Sequence, residues 1–434
     1  MKKLLTTLLL LMEMAAALSA QETWPLERCI AYGLQHNLDI LRQGNQIAAR
    51  EAELLRRRLG HFPTLTVSIG QDYNWGRSVD MQELVIIRNK LTSSTGASLN
   101  ASVTLFEGFT KHYERLAARK SVEAALYEAE SLKERLTIDI TRSYLQLLLA
   151  RQIQAYTREN YATIVQQRER TARLVDAGSQ PKSALGEMDV QVASEKASMV
   201  EADCRVRTAV LELTRLMNLP PDSTIVTGEI FASDILAPRI PVFTENQVET
   251  ALHNDPRARN ARSAAEAQRH LQSAVRGSFF PHLSLTAGYG TYYSSAADEP
   301  FRKQIDENRN PSLSFQLGIP LFTAGELLAR EKQQRLALET ARLEEERVRT
   351  EIAGEIHGAL IEAENALQQY RSAEETLHAV HDLLSITEAR YNLGAATALD
   401  YIVARNNHYK AVSDFLQAKW QYLFQLKLLE RYRL

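Results

Sequence analysis

The stretch Thr64-Leu65-Thr66-Val67-Ser68-Ile69-Gly70-Gln71-Asp72-Tyr73-Asn74-Trp75 alternates almost without interruption. Its odd positions carry Leu65, Val67, Ile69, Gln71, Tyr73 and Trp75, and its even positions carry Thr64, Thr66, Ser68, Gly70, Asp72 and Asn74. A period of two puts these sets on opposite faces of a β-strand. Three more runs repeat the pattern. Leu99, Ala101, Val103 and Leu105 alternate with Ser and Asn; Leu283, Leu285, Ala287 and Tyr289 alternate with Ser, Thr and Gly; Leu313, Phe315, Leu317, Ile319 and Leu321 alternate with Ser, Gln, Gly and Pro. Each run is about ten residues long, apolar on one face and small or polar on the other, which is the length and pattern of a strand that crosses a membrane. One such strand would read more simply as an amphipathic sheet on a soluble core. Here the polar faces are nearly uncharged, and Tyr and Trp fall near the strand ends, where interfacial aromatics sit. Leu65, Val67, Ile69, Leu99, Val103, Leu283, Leu285, Phe315, Leu317 and Ile319 are therefore the expected lipid-facing side chains.

Four strands cannot close a barrel, and an open sheet edge in hydrocarbon leaves backbone groups without partners. Other copies of the chain must supply the missing strands. A water-filled lumen needs clearly more than eight strands, so a homotrimer with a 12-stranded barrel is the smallest simple solution.

The segments outside the strands are helical. No glycine or proline lies between Gly108 and Gly178, and only Gly354 and Gly358 interrupt the run from Gly325 to Gly394. A helix of some 65 residues reaches roughly 100 Å. Leu132, Leu136, Ile140, Tyr144 and Leu147 recur every three or four positions among charged residues, so these helices should pack laterally as coiled coils. The run Leu343-Glu344-Glu345-Glu346-Arg347 reads as a solvated helix face.

The chain begins with Lys2 and Lys3, an apolar run from Leu4 to Met12, and the small residues Ala15, Ala16, Ala17, Ser19 and Ala20, the pattern of a secretory signal peptide over 1–20. No later run of 18 apolar residues exists to form a membrane-spanning helix. The 434 residues carry 51 Lys+Arg against 53 Asp+Glu, a net charge of −2, which argues against nucleic acid as a partner. Cys29 and Cys204 would meet oxidising conditions after export; on amphipathic stretches they read as buried small hydrophobes rather than as a bridge.

The element order occurs twice at a spacing of roughly 217 residues. Asn37 aligns with Asn254, Phe62-Pro63-Thr64-Leu65 with Phe280-Pro281-His282-Leu283, and Leu105-Phe106-Glu107-Gly108 with Leu321-Phe322-Thr323-Ala324-Gly325. The first repeat spans 21–218, with strands at about 63–75 and 97–106 and a helical hairpin at about 109–218. A connector follows at 219–246. The second repeat spans 247–434, with strands at about 281–292 and 312–322 and a hairpin at about 325–432. The segments 76–96 and 293–311 are expected as loops between paired strands.

Phe-Pro entering the strands, Leu-Phe-x-x-Gly leaving them at Leu321 to Gly325 with a form one residue shorter at Leu105 to Gly108, Trp75-Gly76-Arg77-Ser78-Val79-Asp80, Tyr391-Asn392-Leu393-Gly394 and the closing Leu416-Gln417-Ala418-Lys419-Trp420-Gln421-Tyr422 together resemble the TolC-type outer-membrane efflux channels. The resemblance covers essentially the whole chain after the signal peptide, and the order of the motifs carries it. It implies a mixed α and β membrane protein: a trimeric β-barrel in the outer membrane, continuous with a long α-helical barrel in the periplasm. It also implies a periplasmic adaptor and an inner-membrane pump as partners, and small-molecule efflux as the function. A channel for protein or peptide secretion is the nearest alternative, and a non-conducting periplasmic coiled-coil scaffold is a third.

The resemblance makes Tyr391 and Asp400 periplasmic gate candidates and Gly178, Gly394, Ala395 and Thr397 adaptor-contact candidates at the tip. The chain departs from the family pattern at Ala184, Ala396 and Val403, where polar latch residues are frequent. Other readings stay open: Asp400 as a helix cap in Thr397-Ala398-Leu399-Asp400, Gly178 and Gly394 as helix terminators, Tyr391 as a packing aromatic. His378 and His381 are spaced to share a metal ion, but with no third ligand evident they read as a solvated face. The sequence has no phosphate-binding loop, nucleophile elbow or His-Glu-x-x-His motif, so neither catalysis nor a cofactor is expected.

Overall fold

The computed structural model describes residues 23–79, 86–223, 225–227 and 245–432. The signal-peptide segment 1–20 lies outside the described residues, as does most of the 219–246 connector. The chain forms two compact units, one of residues 45–128 and 257–348, the other of residues 1–44, 129–256 and 349–434.

The first unit is built on a four-stranded sheet: β1 (Thr64–Val79), β2 (Ile86–Glu107), β3 (His282–Ser294) and β4 (Asn310–Gly318). The strands lie side by side in chain order and every neighbouring pair is antiparallel. β1 and β4 are the two edges, each paired on one side only among the described residues.

The ladder brings the period-two faces of all four strands into line. Val67 lies opposite Leu99, Leu99 opposite Tyr289 and Tyr289 opposite Pro311. One row over, Leu65, Ala101, Ala287 and Leu313 align. Intervening rows hold Ser68, Ser98, Gly290 and Asn310, and Thr66, Asn100, Gly288 and Ser312. Because side chains alternate across a pleated sheet, one face is a continuous apolar surface and the other a surface of small polar groups.

Four expectations need correction. β1 and β2 run well past the ends read from the sequence, and pairing continues through Trp75–Leu91 and Val79–Ile86, so most of 76–96 is strand. Its Ser- and Thr-rich part offers no apolar alternation to read, but ladder hydrogen bonds need only backbone. Between Thr104 and Phe106 the register of β2 shifts: Leu105 is bulged out, and Phe106 rather than Leu105 pairs with Leu283. β4 stops at Gly318, two residues before Pro320, whose missing N–H cannot donate to a ladder. Ile319 and Leu321 thus lie beyond the strand. The segment 293–311 holds a short helix, α7 (Phe301–Glu307), in which buried Gln304 donates to the Ser294 carbonyl at 3.1 Å and accepts from the Ser294 N–H at 2.9 Å.

At both exits from the sheet, two consecutive residues take left-handed angles: Gly108 (φ 56°) and Phe109 (φ 64°) in one, Ala324 (φ 49°) and Gly325 (φ 84°) in the other. Gly108 also meets α6 (Pro256–Gly277) so closely that a Cβ on it would fall 2.0 Å from the Gly277 carbonyl oxygen. Only glycine fits there.

The remaining helices are α1 (Leu26–His36), α2 (Leu38–Leu59), α3 (Thr110–Asp176), α4 (Lys182–Met217), α5 (Glu245–Asn254), α8 (Glu326–Asn392) and α9 (Ala398–Arg431), and Thr23–Trp24 pairs in parallel with Val226–Thr227 in a separate two-stranded sheet. α3 and α8 have 67 residues each, and both contribute to both units. No described helix is long and apolar enough to cross a membrane. In the second unit, Leu136, Ile140, Tyr144 and Leu147 of α3 form a core with Cys29, Leu213, Met217, Trp420 and Leu423, and the Tyr144 hydroxyl donates to the Trp24 carbonyl at 3.0 Å. Both cysteines are free: Cys29 is buried, its thiol pushed up to about 11 by desolvation, whereas Cys204 is exposed and no part of a core. Cys204 falls on the solvent side of α4, where helical periodicity tolerates an occasional apolar residue.

Candidate functional site

Two regions carry functional potential: the two-faced sheet and the pair of helical hairpin turns. On the sheet, Val67 and Phe315 are 66% and 65% exposed in the single chain. Leu65, Ile69, Leu99, Leu317 and Ile319 are likewise exposed, while Leu283 and Leu285 are half-buried beside their neighbours. From Leu65 to Trp75 the strand advances ten steps of about 3.3 Å, which at a tilt of about 40° covers roughly the 25 Å apolar band of an outer-membrane barrel. Tyr73 and Trp75 lie exposed toward the far end of β1, Tyr289 is exposed in the row of Val67 and Leu99, and Phe62, Phe106, Phe109, Phe280 and Phe322 are exposed at or just beyond the opposite strand ends. The opposite face is lined by Ser68, Gly70, Gly96, Ser98, Asn100, Gly288, Gly290 and Ser312 around an open cavity of about 450 Å³.

The two hairpin turns share one backbone design. α3 ends with Gly178 at φ 69°, where the Gly178 N–H donates to Val175 and the Ser179 N–H to Leu174. α8 ends with Gly394 at φ 74°, where the Gly394 N–H donates to Tyr391 and the Ala395 N–H to Arg390. Both are the paired reverse bonds of a glycine-terminated helix. A Cβ at either glycine would meet nothing within 4 Å, so the requirement is the backbone angle and not space.

Thr397 then starts α9 with a capping box: its hydroxyl accepts from the Asp400 N–H at 3.1 Å, and the Asp400 carboxylate accepts from the Thr397 N–H at 3.0 Å. The Thr397 hydroxyl also donates to that carboxylate at 2.7 Å. These bonds hold the Asp400 carboxyl below its ordinary range. Ala395 and Thr397 are exposed at the turn.

Tyr391 is buried in a cluster with Ala184, Met188, Ala398, Tyr401 and Ile402. Its ring stacks on Tyr401, centroids 5.2 Å apart and planes within 16°, and its hydroxyl lies 3.2 Å from that of Thr171 on α3. Thus Tyr391 packs between hairpins, Asp400 caps a helix, and Ala184 and Ala396 fill the apolar cluster.

Sequence reasoning missed a polar network beside this cluster. Arg405 donates to the Tyr401 hydroxyl at 2.8 Å and to the Asn160 side-chain carbonyl at 2.9 Å. Asn160 donates to Glu195 at 2.7 Å, and Gln191 donates to Glu195 at 2.9 Å and to Asn406 at 3.0 Å. Asn160, Gln191 and Glu195 are buried. α3, α4 and α9 are thereby tied together. In sequence these residues look like any solvated helix positions, and only the Tyr401–Arg405 spacing of four hinted at a contact. His381 also meets a partner unforeseen from the sequence, His408 on α9. Among the described residues no group of three or more His, Cys, Asp or Glu could hold a metal ion.

The sequence model of the outer membrane efflux proteins matches residues 31–219 and 248–432. The alkaline protease secretion protein AprF of Pseudomonas aeruginosa is 24% identical over 332 residues, 75% of this chain and 66% of that protein. The pyoverdine export outer membrane protein OpmQ of the same organism is 26% identical over 334 residues, again 75% of this chain and 66% of that protein. The chain therefore spans just under two thirds of the length of these two curated relatives. The crystal structure of CusC superposes with a TM-score of 0.83 at 18% identity, covering 94% of this chain and 91% of that one.

Proposed function

The chain belongs to the outer membrane efflux protein family, and from that premise we propose that it is the outer-membrane channel of a tripartite export system. In this reading three copies join β1 of one chain to β4 of the next and close a 12-stranded barrel. The helical hairpins extend it through the periplasm to an adaptor, and an inner-membrane pump supplies the free energy that a passive pore lacks. The observation that carries the proposal is the register of the sheet: four apolar faces fall on one side, four small polar faces on the other, and the two flanking edges are paired on one side only among the described residues. An isolated sheet of this kind is unstable in oil and exposed in water, and closure with copies of itself removes both problems. The bare apolar face argues against a soluble scaffold.

The cargo is proposed to be small molecules, as with the pyoverdine exporter OpmQ. Protein secretion is the second reading, supported by the similarity to AprF. The lumen-facing side chains are small and uncharged along most of the sheet, a lining that selects by width more than by charge. The two readings are separated by deleting the gene and measuring intracellular retention of dyes and antibiotics alongside the exported protein profile. Retention of small molecules with normal protein export supports efflux; lost protein export with normal small-molecule levels supports secretion.

Tyr391 and Asp400 remain proposed gate residues. Tyr391 would act by holding the two hairpins together and Asp400 by stiffening the start of α9. Gly178, Gly394, Ala395 and Thr397 are proposed to shape the tip that meets the adaptor. The helix-strand-strand-helix-helix order, occurring twice, supports an origin by duplication.

A further inference from the structure

His381 on α8 and His408 on α9 face one another across the second hairpin, with Nδ1 of the first 3.4 Å from Nε2 of the second and ring centroids 5.4 Å apart. That gap is long for a hydrogen bond. It is, however, about the separation of two nitrogen ligands in a tetrahedral site whose metal–nitrogen bonds are about 2.0–2.1 Å. His408 is already oriented through its other nitrogen: Nδ1 lies 2.9 Å from the Tyr156 hydroxyl of α3. An outer contact of this kind orients a metal-binding imidazole, and Nε2 is free to bind when Nδ1 carries the proton and donates it to the hydroxyl. Tyr156 is itself fixed by stacking on Tyr409, with centroids 5.7 Å apart and planes within 18°.

We propose that His381 Nδ1 and His408 Nε2 form a two-imidazole site for a late first-row divalent cation, Zn²⁺ or Cu²⁺, with water completing the coordination. Imidazole nitrogen suits these ions. The Tyr156 phenol is pushed up to about 12, mainly by burial, and remains a hydroxyl. His381 is exposed, which gives an ion a route in from solvent. The bound ion would staple α8 to α9 and, through Tyr156, brace both against α3. The site lies 13 residues before Gly394 on α8, or about 20 Å along the helix from the turn.

The test is calorimetric titration of ZnCl₂ into the full-length, tag-free protein in detergent after chelator treatment, with Cu²⁺ electron paramagnetic resonance as a second readout. Wild type should bind one Zn²⁺ per chain and show coupling to two nitrogens in the Cu²⁺ spectrum. His381→Ala and His408→Ala should each abolish saturable binding, and Tyr156→Phe should weaken it about tenfold, with far-UV circular dichroism unchanged. Should His408→Ala fail to fold, His381→Ala carries the test from its exposed position. Absence of saturable binding in wild type, or binding that survives either histidine substitution, would overturn the site and leave the pair as an ordinary contact between helices.

Discussion

Leu285 on β3 lies directly opposite Phe315 on β4, while the adjacent residue Thr286 lies opposite Ser314 on the other face of the same sheet. A single step along the strand thus separates the proposed lipid surface from the proposed lumen. Leu285→Arg should destabilise the assembled barrel by about 2–4 kcal/mol near the bilayer midplane, whereas Thr286→Arg should be tolerated and alter single-channel conductance. Denaturant-induced unfolding from vesicles and planar-bilayer recording measure the two effects. Equal destabilisation at both positions would contradict the assigned facing.

Tyr391 contributes both a buried ring and a hydroxyl. Truncation to alanine removes a fully packed aromatic and should cost about 3–5 kcal/mol. Tyr391→Phe loses only the contact with Thr171 and should cost about 0.5–1.5 kcal/mol. If the residue also holds the hairpins closed, Tyr391→Ala raises the open probability of the isolated channel and Tyr391→Phe leaves it near wild type. Identical conductance in all three proteins would remove the gate role and leave the packing role.

Asn160 bridges Arg405 and Glu195 between helices. Replacing it with leucine takes one of two partners from buried Glu195 and from half-buried Arg405, for which about 1–3 kcal/mol is the expected cost. Thermal unfolding of the helical unit should fall accordingly. A midpoint equal to wild type would mean that solvent, not Asn160, satisfies these groups.

The capping box gives a pH signature. Hydrogen bonds from Thr397 lower the Asp400 carboxyl in the folded protein, so folding binds fewer protons there than the unfolded chain does. Its stabilisation is therefore complete above the ordinary aspartate value of about 3.9 and is lost as pH falls through the lower folded value. Asp400→Asn should melt earlier than wild type at neutral pH, and the gap should close on acidification below about pH 4. A gap that stays constant with pH would sink the assignment. Gly394→Ala tests the same turn from its other end: with φ at 74° and open space around the Cβ, it should cost about 1–2 kcal/mol of backbone strain alone.

Much of this architecture was legible because two signals are strong in this chain. Alternation of Leu65, Val67 and Ile69 with Thr66, Ser68 and Gly70 has no helical explanation, and a run without glycine or proline from 109 to 177 has no compact-domain explanation. The features that escaped depend on partners distant in sequence. Ser93, Ser94 and Thr95 show no apolar period, so their place in β2 is set by pairing with β1 and β3. The bulge at Leu105 is a register event that leaves the composition of the strand unchanged. Glu195 and Arg405 look like surface charges until α3, α4 and α9 meet around Asn160. His381 and His408 are 27 residues apart, and only the hairpin brings them together.

The central claim is that the chain completes its sheet with copies of itself and thereby makes a pore. Native mass spectrometry of the detergent-solubilised protein, followed by conductance measurement of the same preparation in planar bilayers, tests it most directly. A particle of three chains that inserts and conducts is the expected result. A water-soluble, monodisperse single chain that never enters the bilayer would contradict it.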